Sequence, residues 1–137
     1  LDDVVIGDYA KFHIEERKDD LFGGYAVVVD TFVSDRVLQK ITEFNEKARM
    51  NATAKKPFKP IEVSDDGLEL IEYLSLDCSN AQGEWYSDSE IKIDKTGYVI
   101  RNGKKTKEFW DGTIFSEKRP LRLKIRNICG DETVWGL

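Results

Sequence analysis

The sequence predicts an α+β domain: a small antiparallel sheet of five to seven strands, one inserted helix, and a C-terminal segment tethered to the sheet by a disulfide. Three observations carry this. Period-two alternation of apolar and polar residues recurs along residues 9–15, 68–78 and 90–94, the pattern of half-buried strands. Asn102-Gly103 separates two extended segments, the strongest short-range signal for a tight hairpin. One stretch, residues 35–49, carries a helical period behind the cap-forming Ser34,.

A chain of 137 residues fits a single domain, and 40% hydrophobic residues suffice for a core,. Residues 1–8 are acidic and expected to fray,. No apolar run approaches the roughly 20 residues needed to span a bilayer. The chain opens on Leu1 rather than Met, which reads as a processed or trimmed product that has lost any signal peptide or lipid anchor. The net charge of −5 argues against general nucleic-acid binding,.

In chain order, Ala10, Phe12 and Ile14 alternate with Lys11, His13 and Glu15. His13 falls on the polar side, where a solvated strand histidine is the simpler reading than a catalytic one. Residues 16–20 form a charged turn, and Gly23-Gly24 precedes the β-branched run 25–33, a central strand expected to be covered on both faces. A glycine pair ahead of a strand is not a phosphate loop, which follows a strand and opens a helix. In the helix over 35–49, Val37, Leu38, Ile41, Phe44 and Ala48 share one face, predicted to cover the sheet,. Residues 50–60 contain two prolines and form a linker,. Short extended pieces are expected at 61–63 and 84–86.

Along residues 68–78, Leu68, Leu70, Leu74, Leu76 and Cys78 share a face, so Cys78 points inward. Residues 120–129 fit two periods: Leu121, Leu123 and Ile125 alternate as in a strand, while Leu121, Ile125, Ile128 and Cys129 share a helical face,. Cys78 and Cys129 are the only cysteines. Such a pair is usually bonded in a secreted domain and free in a cytosolic one; the fold expectation takes the bonded form. Zinc is disfavoured, because neither cysteine has a CxxC partner and His13 is the only histidine,.

Leu76-Asp77-Cys78-Ser79-Asn80 and Asn127-Ile128-Cys129-Gly130 resemble the two half-cystine motifs of the surface-adhesin protein E family of Gram-negative bacteria. Gly103, Lys104, Lys105, Lys107 and then residues 121–128 match the glycine-containing hairpin, basic stretch and apolar segment between those motifs. The resemblance covers about residues 68–130 and matches 9–33 in type only. It implies an antiparallel sheet with a C-terminal helix held by the Cys78–Cys129 disulfide. It further implies a cell-envelope protein, often lipid-anchored, at the periplasm or outer-membrane surface, forming a homodimer and binding host glycoproteins. The helix and proline linker are an insertion relative to that family.

The candidate binding residues are therefore Arg101, Lys104, Lys105 and Lys107, set around a rigid turn where they could meet an anionic partner. Edge protection by lysine is the competing structural reading. A second basic stripe, Lys118, Arg119, Arg122, Lys124 and Arg126, has the same two readings. Asp65, Asp66, Asp88 and Glu90 sit in turn-like contexts that explain them without catalysis. No serine has a nucleophile-elbow setting, and no catalytic residue, metal site or cofactor is predicted. Two functions remain: an extracytoplasmic adhesion-type protein acting by surface recognition of a protein partner through the lysine hairpin, or an envelope inhibitor or immunity-type protein presenting carboxylates to an enzyme.

Overall fold

The computed structural model describes residues 7–18 and 23–137. The predicted frayed segment 1–8 therefore lies outside the described residues except for Gly7 and Asp8, and the charged turn 16–20 is described only to Lys18. The described residues form nine strands in two antiparallel sheets, with one α-helix. The strands are β1 (Tyr9–Glu16), β2 (Tyr25–Val33), β3 (Ile71–Asp77), β4 (Ser89–Ile93), β5 (Tyr98–Arg101), β6 (Lys104–Phe109), β7 (Thr113–Ser116), β8 (Arg122–Asn127) and β9 (Glu132–Gly136). The helix α1 spans Asp35–Met50.

This overturns the α+β expectation. The protein is mostly β, and the five to seven strands predicted for one sheet are nine divided between two. The smaller sheet has the order β1-β2-β7 and the larger β6-β5-β4-β3-β8-β9. Their inner faces share one apolar core. Val27, Val29 and Phe32 of β2 and Ile114 of β7 meet Leu74, Leu76, Ile91, Val99, Leu123 and Ile125 of the larger sheet, all buried. β7 escaped the sequence reading because only four residues long. β9 did so because its residues alternate between exposed and half-buried without a strong apolar period.

Within residues 120–129 there is no helix: 122–127 form strand β8 and 128–129 turn. Leu123, Ile125 and Asn127 are buried, while Arg122, Lys124 and Arg126 turn outward. Pairing to both β3 and β9 decides the ambiguity, since neighbours on both edges supply ladder hydrogen bonds that a helix would break,.

The disulfide is also corrected: Cys78 and Cys129 are free thiols. The ladder explains why. β3 and β8 run antiparallel, with Ile71 opposite Asn127 and Asp77 opposite Arg122. Cys78 follows Asp77 at one end and Cys129 follows Asn127 at the other. The six rungs are five intervals of about 3.4 Å, so the ends of the ladder stand about 17 Å apart,, against the roughly 4.4–6.8 Å between Cα atoms that a bridge requires. Cys78 does turn toward the core, half-buried, as its alternation predicted.

Other expectations divide. Asn102 and Gly103 have φ of 50° and 83°, the left-handed pair that a two-residue hairpin needs,. Ser34 caps α1, its Oγ accepting from Val37 N at 3.3 Å. The helix covers the sheet only through its first turns. Val37 is buried and Leu38 and Ile41 are partly so, but Phe44 is 56% exposed. Asn45 holds the linker's return by bonding both Ile61 N and Ile61 O. The extended pieces expected at 61–63 and 84–86 are not strands. β2 is central in its sheet, as predicted, but it is not covered on both faces along its length: Ala26, Val27, Val29 and Phe32 are buried while Asp30 and Val33 are exposed. Among the described residues, no helix is long and apolar enough to cross a membrane.

Candidate functional site

The site is a cleft of about 700 Å³ at one end of the larger sheet. Three turns converge there. The first is Ser64–Gly67, closed by Gly67 N donating to Ser64 O. Gly67 adopts φ 67°, and a Cβ there would stand 2.1 Å from Phe32 O. Only glycine lets this turn press against β2, where Phe32 N donates to Asp66 O at 2.8 Å,. The 3₁₀ turn Leu68–Leu70 continues it and lays Leu68 against the core.

The second turn joins β4 to β5. Asp94 Oδ1 accepts from Thr96 N, Thr96 Oγ1 and Tyr98 N at 2.9, 2.6 and 2.9 Å. The Thr96 hydroxyl and these amides hold the Asp94 carboxyl below its ordinary range, outweighing a small desolvation cost,. The third turn joins β8 to β9 and is tied to the first by Ile128 N donating to Leu70 O at 2.9 Å.

The floor is apolar. Ile71, Ile93, Trp110 and Phe109 line it with Ile128. Phe109 packs on Tyr98 with ring centroids 5.1 Å apart yet remains 71% exposed, and Ile128 is 48% exposed. Trp110 is fixed by its Nε1–H donating to Thr113 O at 2.9 Å. The rim is acidic, with Asp66, Glu69, Glu72 and Asp94 against one lysine, Lys95. Burial pushes the Glu69 carboxyl up, but the Ser64 hydroxyl and amide outweigh it and hold the group below its ordinary value,. Glu72 pairs with Arg126 Nε at 3.0 Å.

The predicted binding residues are placed elsewhere and do not converge. Arg101 turns toward the smaller sheet: its Nη1 donates to Thr113 O at 3.0 Å, its Nη2 lies 3.5 Å from Asp111, and its guanidinium stands over Phe115. Lys104 pairs with Arg101 and Lys105 with Ile100, so the two lysines fall on opposite faces. Lys107 lies in the stretch where the β5–β6 register shifts. All three lysines are exposed on an edge strand.

Three members of the second basic stripe serve the outer face of the larger sheet. Arg122 and Lys124 stand over the Trp85 ring at 4.9 and 4.4 Å, and Arg126 over Tyr73 at 4.6 Å. Trp85 itself donates to Ser75 Oγ at 3.0 Å. The buried Asp77 organises this roof by accepting from Ser79 N, Asn80 N, Tyr86 N and Arg122 Nη2. Burial opposes its charge, but those amides and the guanidinium hold its pKa at about 2,. His13 is exposed and bridges Asp30 at 2.8 Å and Glu15 at 2.9 Å, and these carboxylates raise its pKa.

Sequence reasoning missed the cleft because its lining comes from segments far apart in the chain. The one available signal was three large apolar residues at or just beyond strand ends: Phe109, Trp110 and Ile128. No family model, curated protein or solved structure matches this chain.

Proposed function

We propose that this domain is a recognition module that binds a protein partner by surface contact, without a cofactor or chemistry of its own, and that the end cleft is its docking site. The observation that carries the reading is the open apolar floor: an aromatic ring 71% exposed beside Trp110 and an isoleucine 48% exposed. Aromatic and aliphatic side chains held in a pocket by their neighbours are the usual anchors of protein interfaces.

The adhesion-type and inhibitor-type readings both act by surface recognition, and the cleft favours the carboxylate-presenting one. The lysine hairpin is weaker support, because Arg101 is engaged internally and the lysines lie along an edge that such residues commonly protect,. An envelope location lost its cysteine argument when the thiols proved to lie at opposite ends of the β3–β8 ladder.

Selection of a displayed peptide library on the folded domain tests this. Selected peptides should weaken about tenfold or more, ~1.4 kcal/mol, in Phe109→Ser or Ile128→Ser, and keep their affinity in the Lys104→Glu, Lys105→Glu, Lys107→Glu triple variant. The reverse pattern moves the site to the hairpin, and a library yielding no binders overturns the reading.

A further inference from the structure

The floor of the cleft offers apolar contact; its rim selects the charge of what docks. Four carboxylates line it against Lys95 alone. All four have internal partners: Asp94 closes its own turn, Glu72 is paired with Arg126, Asp66 accepts from Leu68 N at 3.1 Å and Glu69 accepts from Ser64 N. Asp66 and Glu69 also converge on a single hydroxyl. Ser64 Oγ lies 2.7 Å from Asp66 Oδ1 and 2.5 Å from Glu69 Oε2.

A serine hydroxyl carries one proton, so it can donate to only one of them at a time. The remaining oxygen faces the hydroxyl lone pair to lone pair, and the two carboxylates repel across it. An added cation would relieve both conflicts. Lys95 is on the opposite wall, in the β4–β5 turn, and among the described residues no group of three or more acidic, histidine or cysteine side chains is placed to hold a metal ion. An anionic occupant would meet four carboxylates against the single Lys95.

Resting on the recognition reading above, we infer that the occupant is an extended basic segment of a partner protein, with a lysine or arginine beside an apolar residue. The apolar side chain lies on Phe109, Trp110 and Ile128, and the cation sits between Asp66 and Glu69. The long alkyl stem of either cationic residue suits this, since it covers apolar surface while its head reaches the rim.

The test uses the intact wild-type domain and the Trp110 indole N–H resonance as reporter. Three synthetic peptides of one length are titrated, alternating leucine with lysine, with glutamine or with glutamate. The lysine peptide should shift the Trp110 signal and bind at least about tenfold tighter than the glutamine peptide. Its affinity should fall several-fold between low and roughly physiological salt as charges are screened. The glutamate peptide should not bind. The Asp66→Asn, Glu69→Gln double variant keeps one oxygen acceptor at each position; its spectrum reports its fold, and it should erase the lysine preference. Equal binding of lysine and glutamine peptides would overturn the charge inference and leave the docking reading standing. No shift of Trp110 with any peptide would overturn both.

Discussion

Two carboxylate sites in this protein have opposite economies of donors. At Asp77 three backbone amides and a guanidinium surround one buried carboxylate. At the cleft, Asp66 and Glu69 share one serine hydroxyl and have one backbone amide each, Leu68 N and Ser64 N. The first is saturated and closes residues 78–88 over the sheet. The second has acceptors in excess and faces an open apolar floor. Charge alone does not distinguish structure from recognition; the balance of donors around the charge does.

The largest break in that comparison should come from Asp77→Asn. Three amides and a largely buried arginine, 12% exposed, would lose their anion, and the loss should be about 3 kcal/mol or more in a urea titration. The same group shapes the acid limb. Its folded pKa of about 2 lies below its unfolded value. Its contribution is therefore present above the unfolded value, near pH 4, and is lost as pH falls through about 2. The amount should be about 2 kcal/mol, and the variant should lack that limb.

At the cleft, Glu69→Gln should change stability by only about 1 kcal/mol or less, since the amide oxygen still accepts and one repulsion is removed. A loss as large as that at Asp77 would erase the contrast. Cys129→Ser should stay within about 0.5 kcal/mol, and reductant should leave the melting curve of the native protein unmoved. A thiol reagent should modify exposed Cys129 ahead of Cys78, whose thiol burial pushes up,.

The smallest effect is expected at His13, a third charge arrangement on the exposed surface. Asp30 and Glu15 raise its pKa. Its stabilisation is fully present below the unfolded value near 6.5 and fades as pH rises through the folded one. Asp30→Asn should flatten thermal stability over that window, an effect screened by salt.

Features fixed within a few residues were legible beforehand. The Asn102-Gly103 turn, the Ser34 cap and the inward direction of Cys78 each follow from local φ preferences, a side-chain oxygen or period-two alternation. The cleft was not legible, because residues near positions 66, 94, 110 and 128 become neighbours only through strand order. Residues 120–129 show the boundary between the two cases: the same side chains satisfied a helical and an extended period.

By itself the sequence determined that strands dominate the middle of the chain, where the tightest turn falls, where the helix begins and that the domain carries excess negative charge. Tertiary structure decided that there are two sheets, that the segment at 122–127 is a strand between two partners, that the cysteines sit at opposite ends of one ladder, and that four carboxylates meet around an aromatic floor. Turn and cap preferences act over a few bonds, so composition and spacing reveal them. Strand partners are chosen by burial across the whole core, and no local pattern records that choice.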